Sequence, residues 1–158
     1  MSLHDELETS LLSLLRNDKQ LSVVKAFEAE IKDALFVGEK LSQGFRDGQL
    51  PAINLSVSIA GTRGNQFTAG EIRYEVPVSI AVITRALKPN DARKQAVLLG
   101  FTVLQILQPL RRSGNVLGRN IILVNDVTSS PASVVHEQPN NYAWVTIDAT
   151  IQSIQASI

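Results

Sequence analysis

The residues of this chain that could do chemistry are few and poorly spaced for it. Asp126 and Asp148 fall on segments that read as neighbouring strands, where two carboxylates could share a proton or help hold a divalent ion. No nucleophile or third ligand accompanies them, so the simpler reading leaves both on the polar side of a half-solvated sheet. His4 stands at a helix start and His136 in a loop, both read as solvent-facing. No HxH or HExxH spacing exists, and cysteine is absent, so nothing in the pattern builds a zinc site. Serines are numerous, but none sits in a G-x-S-x-G turn that would present it as a nucleophile. The sequence therefore predicts a protein that is not an enzyme and holds neither cofactor nor metal.

Two further patterns bear on phosphate. Gly61-Thr62-Arg63-Gly64 has the G-x-x-G spacing of the loop with which KH domains clamp a nucleic-acid backbone. That loop joins two helices, whereas this one lies between two strands, and a phosphate loop would need Gly-Lys-Ser and a following helix. Arg111, Arg112 and Arg119 form the one concentration of positive charge, and guanidinium forks suit phosphate oxygens. Three charges give modest affinity, no aromatics interleave with them, and 15 Lys+Arg balance 15 Asp+Glu, so there is no global basic field. Three classes of function stand side by side: an assembly protein, a small nucleic-acid-binding protein using Arg63 and the Arg111 to Arg119 region, and a metal-dependent hydrolase using Asp126 and Asp148. The first is favoured.

The elements that must position these residues are read from periodicity. Tyr142 to Ile151 alternates with Ala143, Val145, Ile147, Ala149 and Ile151 on one face and Tyr142, Trp144, Thr146, Asp148 and Thr150 on the other. Large aromatics turned away from the aliphatic side usually meet another surface. Tyr142 and Trp144 are thus predicted to contact a neighbouring subunit, a partner or a covering segment such as Glu28 to Leu41, with assembly contact favoured. A second long strand runs from Glu71 to Arg85 with Ile72, Tyr74, Val76, Val78, Ile80 and Val82 on one face. Pro77 in its middle lacks a ladder donor, which predicts an edge or a bulge open to another chain. Arg63 and Phe67, on a polar loop from Gly61 to Gly70 expected to be disordered in the free subunit, complete the predicted interface.

Around these lie the remaining elements. Ser2 and Asp5 can cap a helix that buries Leu3, Leu7, Leu11 and Leu14 and ends near Arg16. Leu21 to Phe27 reads as a short strand, Glu28 to Leu41 as a short helix, and Ala52 to Ile59 as a strand forming a hairpin with the one after it. Lys88-Pro89-Asn90-Asp91 opens a helix ending near Pro109, apolar well beyond one stripe and so expected to be covered on more than one side. The run from Asn120 to Val127 reads as a strand buried on both faces, and the stretches Thr128 to Pro131 and Glu137 to Asn141 bracket a connection to the last strand. The order fits one α+β domain over residues 1–158, an antiparallel sheet of at least four strands with its helices packed mainly on one face. The acidic start Met1 to Glu6 is unlike a signal peptide, and the most apolar run, Ala96 to Leu107, is well short of the roughly 20 residues a bilayer crossing needs, so no export or membrane partner is expected.

The junctions carry a resemblance. The Leu-rich first helix, Gln49-Leu50-Pro51-Ala52-Ile53 entering a strand, Asn90-Asp91-Ala92-Arg93 opening a helix, and the closing Asn141-Tyr142-Ala143-Trp144-Val145-Thr146-Ile147-Asp148 are together similar to one family. Over nearly its whole length the chain resembles the tail terminator or tail-completion proteins of long-tailed bacteriophages, most of all the small tail proteins of Mu-like prophages. That resemblance implies an α+β subunit forming a homo-oligomeric ring, typically hexameric, that caps the tail tube, ends its polymerisation and presents a surface for head joining. It implies the tail tube protein and head-tail connector proteins as partners, with nucleic acid present only as DNA passing through the ring. The place implied is the cytoplasm of a bacterial host during assembly, then the virion tail. The family has no catalytic residues to carry over.

Overall fold

Ser2 starts the first helix as predicted. Its hydroxyl accepts from the Asp5 amide at 3.2 Å while the Asp5 carboxylate accepts from the Ser2 amide at 3.3 Å, a reciprocal cap at the head of α1 (Leu3–Arg16). Leu7, Leu11 and Leu15 are its buried stripe. The computed structural model describes residues 2–29, 45, 47–112, 117, 121–124, 126–137 and 139–156. After α1, the Asp18 carboxylate accepts from the amides of Gln20 and Leu21 at 2.8 and 3.2 Å. That turn uses up the residues expected to open a strand at Leu21, and β1 is confined to Ala26–Ala29. Glu28 and Ala29 belong to this strand, and the rest of the helix expected to Leu41 falls outside the described residues.

The sheet is built on two long strands. β4 (Glu71–Ala86) and β8 (Asn140–Ala156) pair antiparallel in one unbroken register from Glu71↔Ala156 to Ala86↔Asn141. Shorter strands flank them. β2 (Ala52–Val57) and β3 (Arg63–Thr68) share the far side of β4, while β5 (Ile121–Leu123), β6 (Thr128–Ser129) and β7 (Ser133–Glu137) share the far side of β8. β1 adds to β2 in parallel, so the sheet of eight strands is mixed and not purely antiparallel. The predicted connection between Thr128 and Asn141 is thus largely strand. The run read as Asn120 to Val127 shrinks to three residues, of which only Leu123 is buried, because it lies at an edge.

Pro77 is not at an edge. It is paired with Thr150 on β8, and its carbonyl accepts from the Ser58 amide at 3.1 Å on the other side. A residue's N and O point to the same side of an antiparallel strand. The missing N–H of Pro77 therefore faces the place where β2 has ended and β3 has not begun, and no ladder bond is lost. Gly61, at φ +80, makes that crossing possible, packing so close to Pro77 that an added Cβ would lie 3.2 Å from the ring.

The two α-helices among the described residues lie on one face, as predicted. Leu7, Leu11 and Leu15 from α1, and Ala92, Ala96, Leu99, Val103 and Leu107 from α2 (Pro89–Leu107), join Ile53, Leu55, Val76, Val78, Ile80, Val82, Val145, Ile147 and Ile151 in one core. Each fully buried Val, Leu or Ile there contributes about 1.5–3 kcal/mol relative to exposure. Gly100 lets α2 approach β8, since a Cβ there would stand 3.0 Å from Cγ1 of Val145. The opposite end of the sheet's other face has a second small cluster of Phe45, Leu50, Ala52, Ile83 and Tyr142. No helix among the described residues is long and apolar enough to cross a membrane.

Candidate functional site

The two aspartates do share a site. The cross-strand pairs Ser79↔Asp148 and Thr128↔Asp148 place Asp148 on the sheet face away from the helices, and Asp126 borders the same cavity of about 340 Å³. Ser56, Ser58, Ser79, Thr128 and Thr150 supply its hydroxyls. Asp126 is held by Arg111, whose guanidinium donates across 2.7 Å in an open setting where such pairs are worth about 0–1 kcal/mol. Among the described residues no group of three or more His, Asp or Glu could hold a metal ion. Arg111 is thus drawn toward the carboxylate, Arg112 is exposed nearby, and Arg119 lies outside the described residues.

Both histidines have structural partners. His4 Nε2 stands 3.0 Å from the Thr62 hydroxyl, which itself donates to the Ser58 carbonyl at 2.7 Å, so the imidazole N–H is the donor to Thr62. This ties α1 to the crossing between β2 and β3, and His4 is half-buried where solvent exposure was expected. His136 Nδ1 lies 2.8 Å from the Asn141 amide oxygen, while the Asn141 amide nitrogen donates to the Leu87 carbonyl at 2.9 Å.

The polar loop of the sequence is a strand. All six residues of β3 are exposed, and a two-residue turn, Ala69-Gly70, returns the chain to β4 at Thr68↔Glu71. Gly64 lies under Tyr74, whose ring an added Cβ would meet at 2.9 Å. The G-x-x-G pattern is accounted for by a positive φ at Gly61 and this ring contact at Gly64. Arg63 faces Glu75 across the ladder at 3.6 Å. Phe67 falls where the register slips between Gln66 and Thr68, and it is 51% exposed.

The predicted aromatic anchors divide. Tyr142 is only 3% exposed, enclosed by Phe45, Leu50, Ala52 and Ile83, so its off-core face is covered by its own chain and it is not an open contact. Trp144 packs half-buried at the margin of that cluster. Pro77 is half-buried too, beside the hydroxyl-lined cavity.

The surface that sequence reasoning placed under cover lies on α2. Val97, Leu98 and Phe101 are 45, 65 and 56% exposed, in contrast to the expectation that this helix is covered on more than one side. Val97, Gly100, Phe101 and Leu104 form one wall of a groove of about 230 Å³, Ser130, Pro131 and Ala132 the other, and Val145 its floor. The signal was the helix's apolar width, which exceeds what one sheet can cover.

No family model matches this chain, and no curated protein does. Among solved structures a similar chain belongs to the virion of a native gene transfer agent particle, with 17% identity and a TM-score of 0.48 over 93% of this chain and 95% of that one. At these values the likeness is one of general outline.

Proposed function

We propose that this protein is a structural subunit of a phage-type tail, which self-associates into a ring, ends growth of the tail tube and offers a face for head joining. The observation that carries the reading is the bare apolar row Val97, Leu98 and Phe101 on a helix whose other side is fully committed to the core. Three large apolar side chains left exposed within five consecutive positions of one helix suit contact with another protein. The junction residues that resemble tail terminators agree with it. In this reading the protein acts by docking, without catalysis or cofactor. It assembles in the host cytoplasm, ends in the virion tail, and meets nucleic acid only as DNA threading the ring.

Sedimentation of the purified protein over a range of concentrations tests the first step. A discrete species of several subunits, visible as rings by electron microscopy and binding the end of tail tubes, is the expected result. A protein that remains monomeric at all concentrations, with and without tubes, would sink the proposal.

A further inference from the structure

Resting on that assembly reading, the geometry points to the contact itself: we infer that Phe67 of one copy inserts into the groove between α2 and the Ser130 to Ala132 segment of the next. The turn of the β3–β4 hairpin lies at one end of the sheet, where Glu71 pairs with Ala156 of β8, and β3 is the outer strand there. Every residue of β3 is exposed, an added Cβ at Gly70 in its turn would meet nothing within 4 Å, and the register slip sets Phe67 beside that turn. Phe67 is the one large apolar side chain of β3, and about half of its surface stays open beside that turn. The groove is the complementary shape, a concavity of about 230 Å³ floored by Val145 and rimmed by Val97 and Phe101.

The two surfaces are kept apart within one subunit. Val145 at the groove floor pairs with Val82, and Gln66 beside Phe67 pairs with Ile72, so both sites are registered on the same strand β4. Ten residues of continuous strand separate Ile72 from Val82, about 33 Å. Phe67 can therefore fill only another copy's groove. Contact between two different patches is head-to-tail, and such contacts close into rings when the rotation permits.

Charge agrees with the pairing. Lys94, one helical turn before Val97 and Leu98, is exposed and makes no ion pair with a described residue. Glu71, just across the turn from Phe67, has a carboxylate that accepts from the Thr68 hydroxyl at 3.2 Å and meets no described cation. Arg63 on the same hairpin is offset by Glu75, and Arg73 is half-buried opposite Asn65, farther from the turn. The acid accompanies the knob and the base accompanies the hole.

The chain contains no cysteine, which makes cross-linking a clean test. Phe67→Cys and Val97→Cys are made separately, mixed under assembling conditions and oxidised. A disulfide-linked dimer from the mixture, with neither variant linking to itself, is the expected result, and the double variant should give a ladder up to the ring. Sedimentation of Glu71→Lys should show assembly weakened about tenfold or more, with Lys94→Glu in the same chain restoring it. Normal assembly without a cross-link, or Val97→Cys linking to itself, overturns the contact while leaving the ring intact. Absence of any self-association overturns both.

Discussion

The two α-helices among the described residues, α1 and α2, lie on the same face of one sheet and solve the same problem differently. α1 presents a stripe centred on Leu7, Leu11 and Leu15, all buried, and its other large apolar residues are at least half-covered. α2 buries Ala92, Ala96, Leu99, Val103 and Leu107 just as completely, yet continues its apolar character around to Val97, Leu98 and Phe101 in open solvent. Its buried side is rich in small residues, with Gly100 against Val145, which draws the helix close to β8. The difference separates two kinds of apolar surface: width that matches the available sheet stabilises the fold, and width beyond it stays exposed, where the proposed function assigns it to a partner.

The strongest test of that contrast substitutes one leucine from each helix. Leu11→Ala should destabilise the subunit by about 2–5 kcal/mol, because it leaves a cavity in the core, as denaturant unfolding would show. Leu98→Asp should lower the unfolding free energy by no more than about 1 kcal/mol, the scale of its helix-propensity cost, and weaken assembly by about thirtyfold or more. A large loss of stability from Leu98→Asp would mean that the exposed row belongs to the core and would erase the comparison.

Trp144→Ala sharpens it from the other face of the sheet. Since Trp144 packs against the Phe45 and Leu50 cluster, the change should cost about 1–3 kcal/mol of stability and leave assembly of the folded fraction unaltered. Sedimentation combined with circular dichroism separates the two effects. The smallest effect is at the head of α1, where Ser2→Ala should cost about 1 kcal/mol through loss of the cap. The Ser2 hydroxyl, and then the Ser2 amide, hold the Asp5 carboxyl below its ordinary value. A lowered folded-state pKa means that the stabilisation is present at neutral pH and is lost as pH falls through that depressed value. Fraying of the first turn should appear in amide exchange only below the usual carboxylate range, and Asp5→Asn should abolish that pH dependence.

Periodicity exposed the long elements because each has one face against a continuous core. Val76, Val78, Ile80 and Val82 and the alternate residues from Ala143 to Ile151 could be assigned to that core residue by residue, as could Leu7 and Leu11. In α1, however, Leu15 and not Leu14 completes the buried stripe, and Leu3 is only partly buried. β3 escaped for the opposite reason. All six of its residues are exposed, so no alternation marks it, and it is a strand because the free edge of β4 offers hydrogen-bond partners. The same limit misplaced Pro77, whose compatibility with a central strand depends on where β2 stops, information held some twenty residues upstream.

Residue order alone is enough to show where aliphatic side chains recur and at what period, and with that the α+β class, the two long strands and the one-sided placement of the helices. It also carried the cap of α1, because the groups that make it are three residues apart. Which surfaces stay open depends instead on the folded path of the chain. Tyr142 is covered by Phe45 and Leu50, nearly a hundred residues earlier, while Leu98 and Phe101 have no such cover among the described residues. Hydrophobicity states that a side chain gains by burial, but whether a covering segment arrives depends on chain path, and a local pattern holds no record of the path.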